Sequence, residues 1–385
     1  MYAKRTSEYS RKAPRESGSD GSSGKAPGLV TGMPLPGLVG FMEDLGFPAY
    51  RGRQVFAWLH GKLATSFDSM TDLPASLRNE LSECCALTVP QVRESLGDGD
   101  GTVKLLLGLA DGLAVESVLI PGDGRLTACL STQVGCPLGC RFCMTGKAGY
   151  RRNLGADEIV AQLHSLQRRS GARVSNVVYM GMGEPLLNFE ALADSIFVFT
   201  ERSGAGIGTR HMTVSTVGIP AGMARLERLP GQVGLALSLH SAVQSTRERL
   251  VPAAARWRLP EVRSALEHYS KAVNRSVTIE YCLIAGVNDS RAEADALREF
   301  TRGLDCKVNL MAWNTIPGLP WRRPSDEALA GFAARLSAKG PAVTVRKSRG
   351  SSISGACGQL GASLLGGASG PVSGSERQQG PDRHP

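Results

Sequence analysis

From Leu126 onward the chain alternates between two periodicities, and that alternation limits the fold more than any other feature. Apolar, β-branched runs at 126–131, 174–180, 210–215, 233–239, 277–283 and 306–312 read as strands. Helical patterns occupy 156–169, 189–202, 220–229, 259–273, 289–303 and 325–337. Strands separated by helices run parallel, joined by right-handed crossovers. Six such units predict an α/β sheet that closes as a full or partial barrel, with ligand-binding loops at its C-terminal strand ends. A further β-rich stretch, 342–346, follows the last helix.

The loop after the first strand carries Cys136, Cys140 and Cys143 as Cys-x3-Cys-x2-Cys, with Cys129 seven residues upstream of the first. Thiolates this close together in a loop suit a soft metal centre. Three ligands leave one metal position open, as in catalytic rather than structural sites. A structural zinc knuckle is the rival reading. It needs a fourth ligand, no Cys or His follows at finger spacing, and Cys129 is the one nearby candidate. Gly135 and Gly139 leave the backbone room to fold around a compact inorganic core.

With 385 residues the chain can form one large domain and a small one. Its 42% hydrophobic and 21% charged residues are those of a soluble globular protein, and no apolar run reaches the length of a membrane span. The N-terminus lacks the apolar core of a secretory signal, so a reducing, cytoplasmic setting is expected. There, nine cysteines, an odd number, point to metal or redox chemistry rather than a disulfide framework. The net charge of +9 favours a polyanionic partner, although a basic soluble enzyme would carry it too.

Residues 1–33 hold six basic and three acidic side chains without an apolar period and read as a disordered basic tail; 366–385 read as a second tail. Residues 34–95 read as a small helical domain whose basic positions suit RNA phosphates or merely a solvated face. In it, Leu38, Phe41, Met42 and Leu45 share one face ahead of Gly46. A second helix, 51–63, turns Val55, Phe56 and Leu59 inward and leaves Arg51, Arg53, His60 and Lys62 on its surface. A third follows Pro74, with Leu77 and Leu81. Residues 96–125 read as a β-hairpin extension, 102–108 and 113–120 about Ala110-Asp111-Gly112. Glu116 lies in its second strand, where a lone Glu usually faces water. The barrel region is 126–365.

Cys-x3-Cys-x2-Cys with Phe142 just before the third Cys resembles the radical S-adenosylmethionine (SAM) superfamily. Gly181-Met182-Gly183-Glu184-Pro185, ending the second strand, is similar to that superfamily's "GGEP" segment. Ser215, Ser238-Leu239-His240 and Asn314 lie at further strand ends, where ligand contact and helix capping are rival roles. Ala356-Cys357-Gly358-Gln359-Leu360 narrows the resemblance to the RlmN/Cfr family. It runs from about Leu38 to Leu360 and takes in 54–60, Val115-Glu116, 155–160 and 181–188.

The resemblance implies a partial (β/α)6 radical SAM barrel with a [4Fe-4S] cluster on Cys136, Cys140 and Cys143. Gly183, Glu184, Ser215, Ser238, Leu239, His240 and Asn314 would line the SAM site, with two SAM used per turnover. Cys357 would become S-methylcysteine, Cys129 would resolve it through a transient disulfide, and Glu116 would accept a proton. The implied substrates are an adenine of the peptidyl-transferase centre in 23S rRNA, at C2, and the adenine 3′ of a tRNA anticodon. A monomer served by an electron donor such as flavodoxin is implied. C8 methylation of the same rRNA adenine, or an Fe–S RNA-binding protein without methylase activity, are the alternatives. In one place the chain departs from the family: Ser351 and Ser352 stand where an acidic residue is usual, and Gly355 where Ala is. A more mobile or differently hydrogen-bonded Cys357 loop is expected.

Overall fold

The computed structural model describes residues 28–338 and 340–364. A ten-stranded sheet runs through them, and its spatial order follows the chain. It opens with three antiparallel strands, β1 (Gln91–Gly97), β2 (Val103–Gly108) and β3 (Ala114–Gly122). β4 (Arg125–Cys129) pairs antiparallel with β3 and parallel with β5 (Asn176–Tyr179). β6 (Met212–Thr216), β7 (Gly234–Ser238), β8 (Val277–Leu283), β9 (Cys306–Ala312) and β10 (Ala342–Val345) continue in parallel. β1 and β10 remain edges, so the six βα units form a partial barrel, as expected.

Helices α1 (Leu35–Asp44), α2 (Ala49–Phe56) and α3 (Ala75–Cys84) precede the sheet. The crossovers are α4 (Ala156–Ser170), α5 (Phe189–Thr200), α6 (Pro220–Glu227), α7 (Leu259–Val273) and α8 (Arg291–Thr301), with α9 (Asp326–Ser337) leading into β10. The hydroxyls of Ser290 and Ser325 accept from Glu293 N (3.3 Å) and Ala328 N (3.2 Å), which starts α8 and α9 at those residues. Central strands covered on both faces need apolar side chains in both directions. β8 accordingly buries Val277, Ile279, Tyr281, Cys282 and Leu283.

The N-terminal region differs from expectation in three places. Residues 28–33 do not extend a tail: Gly28–Leu29 pairs with Cys85–Ala86, and Val30 and Thr31 are buried. A two-residue strand is too short for a period to register. The tail's remainder, 1–27, and the tail expected at 366–385 lie outside the described residues. Second, β1 begins inside the range read as helical and makes the hairpin a three-stranded meander. Nearly all its residues are exposed, as on an edge strand without a covered face, so no alternation marks it. Third, His60 is buried, not on the helix surface. α2 ends at Phe56 and passes into a π-helical turn, Ala57–Gly61. There His60 lies against the Phe56 ring (4.2 Å between centroids), and its Nδ1 is 3.2 Å from Nε2 of His164 on α4. Burial holds His60 well below the ordinary histidine range and His164 at about 3.

Candidate active site at the C-terminal strand ends

The cysteine loop leaves the C-terminal end of β4 and is closed at its base by a short ladder between Gln133–Gly135 and Tyr150–Asn153. Gly135 has φ +77°, and a Cβ there would lie 1.7 Å from the Gly149 carbonyl oxygen, so a side chain cannot be accommodated. The far side is tied to the barrel. Arg141 N donates to Leu250 O (2.9 Å), and Trp313 Nε1 donates to Phe142 O (2.9 Å). Burial pushes the Cys136 thiol up to about 12 and Cys140 well above its ordinary value, and Cys143 raises both further. The three thiols are thus close enough to disfavour one another's charge. Among the described residues, no three such side chains converge as the ligands of a single ion would.

Beside them lies Glu184, which is buried. Its carboxylate accepts from Leu186 N (3.2 Å) and Val217 N (3.0 Å), while its own N–H donates to Gln133 Oε1 (2.8 Å). Burial outweighs these bonds and raises the carboxyl to about 7. Gly183 has φ +102°, and a Cβ there would meet Gln133 Cβ at 2.6 Å. Parallel pairing of β6 with β7 sets Ser215 Oγ 3.1 Å from Ser238 Oγ. Leu239 is fully buried, and His240 takes φ +58°. His240 Nδ1 accepts from Cys282 N (3.1 Å), which leaves any ring proton on Nε2. Burial and Arg247 keep this ring at about 3, hence neutral at physiological pH.

Asn314 Nδ2 donates to the carbonyl of Cys357 (3.1 Å) and so brings the C-terminal segment to the same strand ends. That segment is fastened to the cysteine loop as well. Met144 N donates to Gly358 O (2.8 Å), and Thr145 Oγ1 donates to Leu360 O (2.5 Å). Ahead of Cys357 the chain forms a closed turn, with Gly355 N donating to Gly350 O (2.8 Å) and Ser354 at φ +52°. Cys357 is exposed, yet burial raises its thiol. Cys129 and Cys143 lie near enough to interact electrostatically with it. Burial pushes Cys129 up to about 12, and Arg346 pulls both Cys129 and Cys357 down. All nine cysteines are free, so Cys129 and Cys357 stand as two thiols without a disulfide between them.

Glu116 is buried, contrary to what a lone strand Glu suggests. Its Oε1 lies 3.3 Å from Lys104 Nζ, and its Oε2 accepts from Gly361 N (2.7 Å). The structure thus places the cysteine loop, Glu184, Ser215, Ser238 and Asn314 at the C-terminal strand ends, with Glu116 bonded to the Cys357 segment that Asn314 holds there. It adds four that the sequence reading passed over: Lys104, Gln133, Arg247 and Cys282. Arg247 is fully buried, with Nη2 on Val217 O and no partner for Nε or Nη1, and it interacts electrostatically with Cys140. Its one sequence signal is that it lies three residues before the buried Leu250 on a short helix, Gln244–Leu250. Cys282 had none, being one more apolar residue of a buried strand.

This arrangement is that of the radical SAM superfamily, whose family model matches residues 130–297. The model for the N-terminal domain of ribosomal RNA large subunit methyltransferases matches residues 30–87. The chain is 40% identical to the dual-specificity RNA methyltransferase RlmN of Syntrophus aciditrophicus, over 87% of this chain and 97% of that one. It is 42% identical to the RlmN of Nitratidesulfovibrio vulgaris, over 83% and 90% respectively. The crystal structure of a radical SAM methyltransferase from Sphaerobacter thermophilus superposes with a TM-score of 0.84 at 42% identity, covering 87% of this chain and 99% of that one. The chain belongs to the RlmN family of radical SAM RNA methyltransferases. Membership implies a [4Fe-4S] cluster and SAM. The residues present fit both: three neighbouring thiols on one loop and, beside them, a buried carboxylate that an ammonium can meet.

Proposed function

We propose that the chain methylates C2 of an adenine in the peptidyl-transferase centre of 23S rRNA, and C2 of the adenine 3′ of tRNA anticodons, through S-methylcysteine at Cys357. The observation that carries this reading is the approach of Cys129 to Cys357 across more than two hundred residues of chain. A protein that only bound RNA would have no use for that pair. The name dual-specificity, borne by the relatives, supports more than one RNA substrate.

Adenine C2 is electron-poor and resists ordinary methyl transfer, whereas a thiolate takes a methyl group readily. When bound, the cluster and two SAM molecules per turnover supply a methyl group and a 5′-deoxyadenosyl radical. Cys136, Cys140 and Cys143 hold the cluster. Glu184 accepts from the SAM ammonium, with Gly183, Ser215, Ser238, Leu239, His240 and Asn314 around it. Cys357 accepts the methyl group and presents its carbon to the ring. One hydrogen atom of that methyl group would pass to the deoxyadenosyl radical, the carbon would bond to ring C2, Glu116 would take the C2 proton, and the one surplus electron would leave to the cluster. Cys129 then attacks the Cys357 sulfur: the S–S bond forms as the S–C bond breaks, and that electron pair stays with the carbon, which takes up a proton. Arg346, beside both thiols, favours the thiolates these steps need. A cellular reductant resets the pair, and a one-electron donor such as flavodoxin serves the cluster.

Cys129→Ala tests the scheme. The variant should accumulate an RNA–protein adduct covalent through Cys357, visible as a mass shift on the peptide that contains it. Release of methylated RNA at the normal rate would refute the two-cysteine mechanism. Mass spectrometry of product RNA checks the position, with 8-methyladenosine in place of 2-methyladenosine pointing to C8 chemistry.

A further inference from the structure

Lys104 is 5% exposed and Glu116 1%, and they meet across the antiparallel ladder of β2 and β3. A buried ion pair brings little net stability over apolar residues of the same volume. This one is better explained by what else it touches. Lys104 Nζ, 3.3 Å from Glu116 Oε1, also donates to the Ser354 carbonyl (3.5 Å). Glu116 Oε2 accepts from Gly361 N (2.7 Å). Ser354 lies three residues before Cys357 and Gly361 four after it. The ammonium therefore holds one shoulder of the Cys357 segment and the carboxylate the other.

We propose that Lys104 is a positioning residue that orients Glu116 and sets where the Cys357 thiol stands, and that proton uptake by Glu116 unties the segment. The proposal rests on the reading of Glu116 as proton acceptor and Cys357 as methyl carrier. While the carboxylate is charged, one oxygen accepts from Lys104 and the other from Gly361. Once it holds the ring proton it is a neutral acid. Its attraction to the ammonium falls, and the bond from Gly361 N–H, no longer charge-assisted, weakens. The proton moves without any change in the protein's electron count. The segment loosens at the stage where Cys129 must reach the Cys357 sulfur. The charged groups that also face the segment are Asp100, which accepts from Gly350 N (3.3 Å), with Arg349 beside it, and Arg346 near Cys357. None of these three charged groups bonds to Ser354 or Gly361; the neutral bonds from Met144, Thr145 and Asn314 hold the stretch 357–360 between those two points.

Hydrogen–deuterium exchange on the anaerobically reconstituted holoenzyme, with Cys357 methylation read by mass spectrometry on the same peptides, tests this. Lys104→Met should raise exchange across 350–361 by about tenfold or more, leave the parallel strands unchanged and lower the yield of S-methylated Cys357. Lys104→Arg should restore both in part. Glu116→Gln, a neutral mimic of the protonated acid, should loosen the same peptide with Lys104 intact. Unchanged exchange across 350–361 in both Lys104→Met and Glu116→Gln overturns the proposal. Should Lys104→Met fail to fold, the double variant Lys104→Met/Glu116→Gln carries no orphaned buried charge and gives the same reading. If exchange responds as expected but the unsubstituted holoenzyme never methylates Cys357, the tie stands and the methyl-carrier reading falls.

Discussion

Glu184 shows how one residue's surroundings decide its task. Burial lifts its carboxyl to about 7, so near neutral pH it is half neutral, at the place where we propose that it meets the SAM ammonium. The raised value favours the protonated form in the folded state. Glu184 therefore adds stability that is full below the unfolded value near 4.5 and is lost as pH rises through about 7. SAM binding has the opposite dependence. Its affinity should rise between pH 5.5 and 7, approaching about tenfold per unit at the acid end, as calorimetric titration would show. Glu184→Gln should flatten that rise and weaken binding by about 1.5–3 kcal/mol, the worth of a hydrogen bond to a charged group. A Gln variant that binds SAM as tightly as the parent, with the same pH dependence, would remove Glu184 from the site.

Among the elements, the contact of α2's π-helical end with α4 joins the N-terminal helices to the barrel through His60 and His164. Burial favours the neutral form of both rings, as it does for Glu184, but for a base that lowers the pKa where for an acid it raises it. Their contribution is present above the unfolded value of 6.5 and is lost as pH falls toward the folded value, about 3 for His164. The unfolding free energy should therefore fall on mild acidification, by at most about 1.4 kcal/mol per pH unit for each histidine, as denaturant titrations at several pH values would record. His164→Leu should make that slope shallower, and a slope identical to the parent's would show that the pair does not carry the dependence. The sequence reading placed His60 on the surface because it carried the α-helical period past Phe56. Where a π-turn inserts a residue, every later side chain rotates, and no local signal announces it. By contrast, the strands and helices of the barrel were legible in outline, because parallel strands buried on both faces leave continuous apolar runs that helices interrupt.

At the scale of the whole molecule, the net charge of +9 becomes a statement about binding once the family is known to act on RNA. Each phosphate neutralised adds roughly −0.7 to −0.9 to the slope of log affinity against log salt. RNA affinity should accordingly fall steeply between about 50 and 200 mM monovalent salt, as filter binding would record. A slope near zero would show that the excess charge lies away from the RNA. The same scale explains what was missed in the site. Lys104 precedes Cys357 by more than two hundred residues and Arg247 by more than one hundred, and neither lies in a motif.

By itself, the sequence determined the alternation of strands and helices, the three-thiol loop, and the positions of Cys129 and Cys357 along the chain. These are local facts, set by side-chain period and by spacing along the chain. The tertiary structure decided which distant groups face one another. Only the folded sheet brings Lys104 and Glu116 to either shoulder of the Cys357 segment, buries Glu184 until its carboxyl is half neutral, and turns His60 inward. Such effects come from desolvation and from contacts between remote segments, and these exist only after the chain has closed on itself.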